Sequence, residues 1–218
     1  DLEHQTDAML GLARVLGGPA DDALPELWLP AESLGGVGMP AGLAPRRFLV
    51  FNTGSNRTSA RLPAHRAAEI GRALRSAFSL PLVWTGATGE RERIEGLCAA
   101  VGPDSVNLAG RTALCDLALV LRSAGAVVST DTGPMHMAAA VGAPLVALFG
   151  PADPARSGPR GPAGRVVVLR GVARPRDRRR WHEDIASASV VRAVAGVLAA
   201  APATPPPVGA ASPGSEGS

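Results

Sequence analysis

Short apolar runs alternate with segments of helical periodicity through the middle of the chain. We interpret six of the runs as buried strands, at 47–54, 80–87, 105–110, 125–131, 143–150 and 164–171. Helical spacing of apolar residues predicts five helices between and after them, at 65–78, 90–102, 112–124, 134–142 and 187–200. Buried strands separated by helices are typical of a parallel sheet with both faces covered. The expected fold class is therefore α/β, a doubly wound, Rossmann-like parallel sheet.

Both ends of the chain differ from this alternating region. Residues 1–16 have a helical pattern, and a stretch rich in Pro and Gly follows at 19–47. Because a polar start runs straight into that helix, we expect the sequence to begin inside a longer protein. Residues 201–218 are mainly Pro, Ala, Gly and Ser, which predicts disorder. We therefore divide the chain into an interdomain helix and linker at 1–45, a folded domain at 46–200 and a disordered tail at 201–218.

The amino-acid composition limits the classes of molecule that the protein is expected to bind. Every basic residue is Arg, so the pI is about 10.0 although the formal net charge is only +3. Arg suits contacts with phosphate and acidic groups, but the codon bias of a GC-rich genome explains the same excess. Aromatic residues make up 3% of the chain and Tyr is absent. Stacking platforms for single-stranded nucleic acid are therefore not expected, and nucleic acid is not among the predicted partners.

Cysteine usage and hydropathy predict the compartment. Cys98 and Cys115 form no metal-binding or disulfide pattern, and both lie in apolar helical segments as expected of buried free thiols. The sequence has no signal-peptide pattern and no apolar run of about 18 residues or more. These features predict a soluble cytoplasmic protein without a structural metal.

The segment that follows the fourth predicted strand is the strongest candidate for binding chemistry. Asp131–Gly133 would form a turn, and Pro134 suits the first turn of the next helix. Four backbone N–H groups are expected to point at one spot, those of Thr132, Gly133, Met135 and His136. Together with the helix dipole they would bind a diphosphate, with the His136 ring turned to the same pocket. The alternatives are that Asp131 only caps the helix and that His136 is a core histidine.

Polar loops also follow the first three predicted strands. Gly54, Ser55 and Arg57 lie in the first loop and could contact phosphate oxygens. Glu90 follows the second strand and could accept hydrogen bonds from ribose hydroxyls. Arg111 and Thr112 follow the third strand and could present backbone to a base.

Each of these loops also has a structural interpretation. The first could be a solvated loop, Glu90 an acidic residue favoured at a helix start, and Thr112 a helix cap. Because the carboxyl ends of parallel strands meet at one edge of a sheet, however, all four loops are expected to converge.

The segment DTGPMHMAAAVGAPLVALFGPADP, residues 131–154, resembles the signature of glycosyltransferase family 9, the ADP-heptose:lipopolysaccharide heptosyltransferases. The resemblance extends over about residues 48–198. NTGSNRTSARLP is similar to the phosphate loop of the family, GERER to the start of its ribose-binding helix, and LAGRTAL to its base-contacting turn. WHEDIASASVVRAV is similar to the closing helix of the family.

The resemblance implies one half of a two-domain GT-B fold, the half that binds a nucleotide sugar. It implies inverting transfer of heptose from an ADP-linked donor to a lipopolysaccharide-like or other glycan acceptor, without a cofactor or an obligatory metal. The acceptor domain supplies the general base in the family, so we expect that base outside this chain and assign no catalytic residue. The implied roles are Thr132 and Gly133 at the diphosphate, Asp131 at the sugar hydroxyls, Glu90 at the ribose, and Arg111 and Thr112 by the base.

One departure from the family pattern leaves other functions open. The family has Lys-x-Trp-Pro after the phosphate loop, where this chain has Ala60-Arg61-Leu62-Pro63, so Arg57 or Arg61 would have to replace the lysine. A divergent, non-catalytic nucleotide-binding module and a nucleotide-sugar epimerase-like domain are the alternatives. The basic stretch at 172–183 could touch anionic lipid at the inner face of the membrane, although a solvated loop is the expected structure.

Overall fold

The computed structural model describes residues 4–15, 27, 43–54, 59–172 and 177–200. Most of the predicted linker and all of the predicted tail at 201–218 lie outside these residues. All six predicted strands and all the predicted helices are present within them.

The six strands are β1 Leu49–Asn52, β2 Leu82–Thr85, β3 Ser105–Asn107, β4 Ala126–Thr130, β5 Leu145–Phe149 and β6 Val166–Arg170. The helices are α1 Gln5–Val15, α2 Ala64–Phe78, α3 Arg91–Val101, α4 Leu114–Ser123, α5 Gly133–Ala140, α6 Pro154–Ser157 and α7 Ser187–Ala200. Two 3₁₀ helices, Thr88–Glu90 and Arg178–Asp184, precede α3 and α7. The strands are shorter than the apolar runs that predicted them because residues at the ends of the runs belong to the adjoining loops.

The strands form one parallel sheet in the order β3-β2-β1-β4-β5-β6. Helices α2, α3 and α7 pack on one face, whereas α4 and α5 pack on the other, so the predicted doubly wound fold is confirmed. The neighbours β1 and β4 are followed by helices on opposite faces. Their carboxyl ends therefore leave a crevice between them, where ligands bind in sheets of this class.

Side chains alternate between the two faces along every buried strand, as the pleat requires. In β1, Phe51 joins one core and Val50 the other. The parallel register places Phe51 beside Trp84 of β2, and the two rings stack with centroids 5.0 Å apart. Because helices cover both faces, all four residues of β1 are buried, which explains its continuous apolar run.

The basic stretch at 172–183 is not a fully solvated loop, and that expectation was wrong. Its 3₁₀ helix places Trp181 in the core with no exposed surface, and the indole Nε1–H donates to the Ser59 carbonyl at 3.0 Å. The ring lies directly on Gly150, where an added Cβ would be 2.4 Å from it. A Cβ at Gly171 would similarly meet the Trp181 carbonyl at 1.8 Å. Gly150 therefore makes room for the Trp181 ring, and Gly171 makes room for the backbone of the same residue.

Ser187 is of a residue type that is favoured at helix N-caps, but it does not cap α7. The helix already includes Ser187, and its hydroxyl donates instead to the Glu69 carboxylate on α2 at 2.8 Å. Among the described residues, no helix is both long and apolar enough to cross a bilayer.

We expect Trp181→Ala to lower the free energy of unfolding by about 3–5 kcal/mol, because it leaves a cavity between three loops. Urea denaturation measures this change. Arg179→Ala, an exposed neighbour on the same 3₁₀ helix, is the control and should cost less than about 0.5 kcal/mol. Equal effects of the two variants would contradict the anchoring role of the indole.

Candidate functional site

A cleft of about 660 Å³ opens at the carboxyl ends of the strands, over the crevice between β1 and β4. Seven of the residues singled out from the sequence line it: Gly54, Glu90, Thr112, Asp131, Thr132, Gly133 and His136. Arg111 is exposed and is not part of the cleft wall. Ser55 and Arg57 lie outside the described residues. The predicted convergence of four loops is thus present for the parts of those loops that the structure describes.

Other residues of the wall were not singled out from the sequence. Asn52, Thr85, Gly86 and Ala87 lie in the predicted strands that end at this edge but were not among the candidate site residues. Ala113, Leu114 and Leu117 come from the start of α4, and Gln5 and Ser157 come from α1 and α6. The spacing of apolar residues predicts which face of a helix is buried. It does not predict which helices, far apart in the sequence, will border the same cleft.

Side-chain hydrogen bonds connect the ends of β1 and β4 below the cleft. The Thr130 hydroxyl donates to the Gly54 carbonyl at 2.6 Å, and the Asn52 Oδ1 accepts from the Gly54 amide at 3.1 Å. The Thr132 hydroxyl donates to the Thr130 carbonyl at 3.1 Å. The rim of the cleft at the strand ends is therefore held by bonds that need no ligand.

The predicted set of four converging amides was too large. The amides of Met135 and His136 both donate to the Thr132 carbonyl, at 3.0 and 3.4 Å. The remaining donors of the predicted set are the amides of Thr132 and Gly133, at the positive end of the α5 dipole. The N-cap position belongs to Thr132, not to Asp131.

Glycine at position 133 is not required by the packing of the protein. A Cβ added there would have no described protein atom within 4 Å, and its φ is not in the left-handed region. Gly110 is a contrasting case, because its φ is +64° and a Cβ would meet Thr88 at 2.5 Å. The bare backbone of Gly133 therefore faces open space in the cleft, where a ligand can approach it closely.

Glu90 brings a carboxylate to the floor of the cleft. Its Oε2 accepts from the Ala87 amide at 3.1 Å. The group lies so close to Gly54 that a Cβ there would be 2.7 Å from Oε2. Within the described part of the chain, the buried Oε1 has no hydrogen-bond partner. An acceptor of this kind suits a ligand hydroxyl, because an unsatisfied buried oxygen is costly in the empty site.

Arg93 holds the two ends of the loop that follows β1. Its guanidinium donates to the Thr53 hydroxyl at 3.0 Å and to the Leu62 carbonyl at 2.6 Å. Burial lowers the pKa of this guanidinium, although the Glu90 carboxylate opposes the shift. The group remains charged because Arg does not lose its proton in proteins. Arg93 was not predicted as a site residue, because its hydrogen-bond partners lie about 30 and 40 residues away along the chain.

His136 lies at the cleft with part of its ring open to solvent. Burial of the rest lowers the pKa of the imidazole, the Asp131 carboxylate partly opposes this, and His4 adds a smaller lowering effect. The ring is therefore neutral at neutral pH and acts there as a hydrogen-bonding group.

The cleft has one apolar and one polar end. At the apolar end, Ala113, Leu114 and Leu117 belong to α4, and Leu114 is 71% exposed. Gln5 and Ser157 belong to the other end, because α4 follows β3 whereas α6 follows β5, and these two strands lie on opposite sides of the β1–β4 crevice. Among the described residues, no group of three or more His, Cys, Asp or Glu side chains is placed to hold a metal ion.

Residues 10–184 match the family model of glycosyltransferase family 9 (heptosyltransferase). The chain belongs to glycosyltransferase family 9. It is 36% identical over 115 residues to lipopolysaccharide heptosyltransferase 1 of Pseudomonas aeruginosa, which covers 52% of this chain and 32% of that protein. It is also 43% identical over 63 residues to lipopolysaccharide heptosyltransferase 2 of Escherichia coli, covering 29% of this chain and 18% of the relative.

Solved structures of family 9 proteins have the same fold. The E. coli ADP-heptose lps heptosyltransferase II matches with a TM-score of 0.70 and 25% identity, over 84% of this chain and 56% of that one. The family 9 glycosyltransferase of Veillonella parvula matches with a TM-score of 0.75 and 20% identity, over 92% and 61%. The chain thus spans a third or less of these two curated relatives and little more than half of these structures. This agrees with one half of a GT-B fold.

We expect Arg93→Ala to lower the free energy of unfolding by about 1.5–3 kcal/mol, because two hydrogen bonds from a charged group are lost. Hydrogen exchange should become faster at Thr53 and Leu62. Arg111→Ala is the matched control, since that side chain is exposed, and it should change neither quantity. Unchanged exchange at Thr53 in a folded Arg93→Ala variant would contradict the proposed contact.

Proposed function

We propose that this chain is the donor-binding domain of a glycosyltransferase that transfers a heptose-type sugar from an ADP-linked donor. The acceptor would be a lipopolysaccharide-like or other glycan. One observation carries the proposal, namely the open backbone of Gly133 at the start of α5, which faces a cleft at the crevice of a family 9 fold. Family membership favours this function over an epimerase-like domain or a non-catalytic module.

The diphosphate of the donor would bind at the α5 N-terminus. The amides of Thr132 and Gly133 supply directed donors, and the helix dipole supplies partial positive charge. Gly54 borders the same cleft, and its lack of a side chain leaves room there for the Glu90 carboxylate. Neither Ser55 nor Arg57 is needed for this part of the proposal, although both remain predicted contacts of the phosphates.

The nucleoside would extend toward the apolar end of the cleft. Glu90 Oε1 would accept a hydrogen bond from a ribose hydroxyl, which satisfies its lone pairs. Thr112 and the apolar residues at the start of α4 would border the base. A contact of Arg111 with the base stays a prediction, because the side chain is outside the cleft wall. Asp131 would contact the hydroxyls of the transferred sugar.

In the reaction, an acceptor hydroxyl oxygen forms a bond to the anomeric carbon of the sugar. The bond from that carbon to the diphosphate breaks at the same time, and the electron pair leaves with the nucleoside diphosphate. The amides of Thr132 and Gly133 would stabilise the charge that develops on this leaving group. The proton of the acceptor goes to a general base that we place outside this chain, and no cofactor or obligatory metal enters the proposed steps.

The setting of the reaction is also part of the proposal. A lipopolysaccharide-like acceptor would be presented at the inner face of a membrane, so we place the protein in the cytoplasm with peripheral membrane contact. Arg179 on the exposed side of the Arg178–Asp184 helix provides positive charge for anionic headgroups, whereas Arg180 is paired with Glu183 at 2.7 Å.

We expect ADP to bind the chain in calorimetric titrations and Gly133→Val to weaken that binding by tenfold or more. The added side chain would occupy the diphosphate position without disturbing the described part of the fold, since no described protein atom lies within 4 Å of a Cβ there. Gly96→Val, on the exposed side of α3, is the control because its Cβ also meets no protein atom. Absence of ADP binding to the unaltered chain at about 1 mM, a limit near −4 kcal/mol, would overturn the proposed function.

We further expect ADP binding to be accompanied by proton uptake at His136. The diphosphate charge should raise the pKa of the imidazole from its lowered value, because a nearby negative charge favours the cation. The affinity gained from this proton uptake is then fully present below the pKa of His136 in the free protein. It is lost as the pH rises through the pKa of His136 in the complex. Calorimetry in buffers of different ionisation enthalpy measures the uptake.

His136→Ala is the comparison for that measurement, and it separates the imidazole from the phosphates of ADP, which also titrate. The variant should take up fewer protons and bind ADP only mildly more weakly. Identical proton uptake by both proteins would show that His136 does not face the diphosphate.

A further inference from the structure

Helix α1 is fastened to the segment after β5 at one end of the cleft. His4 donates from Nε2 to the Gly158 carbonyl at 3.1 Å, and its Nδ1 accepts from the Thr6 amide at 3.1 Å. The second bond places the ring proton on Nε2, as the first requires. One turn further along, Asp7 and Arg160 form a two-point ion pair, with Nη1–Oδ1 and Nη2–Oδ2 distances of 2.7 and 2.5 Å.

These contacts are directed and specific. A guanidinium and a carboxylate paired at two points fix both distance and orientation, unlike a single surface ion pair. The receiving segment is itself rigid at Gly158, whose amide bonds to the Pro154 carbonyl at 2.8 Å and where a Cβ would lie 2.4 Å from that oxygen. The start of α1 therefore has a defined place relative to the sheet, although 153 residues separate Asp7 from Arg160.

This attachment brings two neutral polar side chains into the cleft wall. Gln5 lies between His4 and Asp7, the two residues that are held, and Ser157 precedes the Gly158 carbonyl that holds His4. Both line the end of the cleft opposite the apolar start of α4. Gln5 is exposed, so its amide group is accessible to a molecule in the cleft.

From this arrangement we propose that Gln5 contacts hydroxyl groups of the transferred sugar, and that the Asp7–Arg160 pair positions it. The inference rests on the proposed function, which places the base at the apolar end and the diphosphate at Thr132 and Gly133. The sugar is then the part of the donor left for the end that Gln5 and Ser157 line. A glutamine amide offers two donors and an acceptor, which matches sugar hydroxyls that both donate and accept.

Gln5, Asp7 and Arg160 lie outside the sequence motifs that resemble the family. None of the donor contacts in the proposed function involves them. Gln5 would act on the sugar alone, whereas Glu90, Thr132 and Gly133 act on the part of the donor that is also present in ADP. Gln5 is therefore a specificity-determining residue for the sugar, and Asp7 and Arg160 are positioning residues for it.

The test compares ADP with ADP-heptose on the same protein, by calorimetry with the full 218-residue chain. Gln5→Ala should leave the Kd for ADP within about twofold and weaken ADP-heptose about tenfold, the effect of one lost hydrogen bond. Arg160→Ala should reproduce this selective loss, and the double variant Gln5→Ala with Arg160→Ala should be no worse than either alone. Met9→Ala, an exposed change on α1, should leave both affinities unchanged.

The outcomes separate the inference from the proposed function. If the unaltered chain binds neither ADP nor ADP-heptose, the proposed function fails and the inference fails with it. If ADP binds but Gln5→Ala affects both ligands equally, or neither, only the role of Gln5 is overturned. If Gln5→Ala is selective but Arg160→Ala is not, Gln5 contacts the sugar without the positioning pair, and the second half of the inference is wrong.

Discussion

The site depends on the parallel pairing of β1 with β4, the two neighbouring strands whose helices lie on opposite faces of the sheet. Backbone hydrogen bonds set their register, and the Thr130 hydroxyl adds a bond to the Gly54 carbonyl where the strands end. Loops that leave these strands must diverge, because the helices they lead to are on different sides. The crevice therefore follows from the topology of the sheet, and every candidate contact with the sugar donor lies around it.

The sequence predicted this framework well because both faces of the sheet are buried. A strand covered on both faces is mostly apolar, so β1, β4 and β5 appear as short apolar runs, with polar residues only at the carboxyl ends of β1 and β4. The convergence of the cleft loops could also be predicted, since the carboxyl ends of parallel strands meet at one edge of the sheet. The turn at Asp131–Gly133 was recognisable because Pro134 directly after it is of the residue type favoured in the first turn of a helix.

Contacts between distant segments could not be predicted in the same way. Trp181 was placed in a basic surface loop because a single apolar residue among arginines has no periodicity. The amides of Met135 and His136 were counted as ligand donors because a motif does not show that Thr132 will accept both bonds. Arg93, Gln5 and Ser157 acquire meaning only after segments far apart in the chain have packed together.

The burial of Trp181 has a consequence for synthesis of the protein. Its indole closes the space over Gly150 and bonds to Ser59, at the far end of the loop that follows β1. A nascent chain that ends before residue 181 leaves that glycine surface open and the Ser59 carbonyl without its tryptophan donor. The anchoring of this loop thus has to wait for a segment made more than a hundred residues after β1. Nascent chains on the ribosome can accordingly pair β1 with β2 and β4 before that loop is anchored.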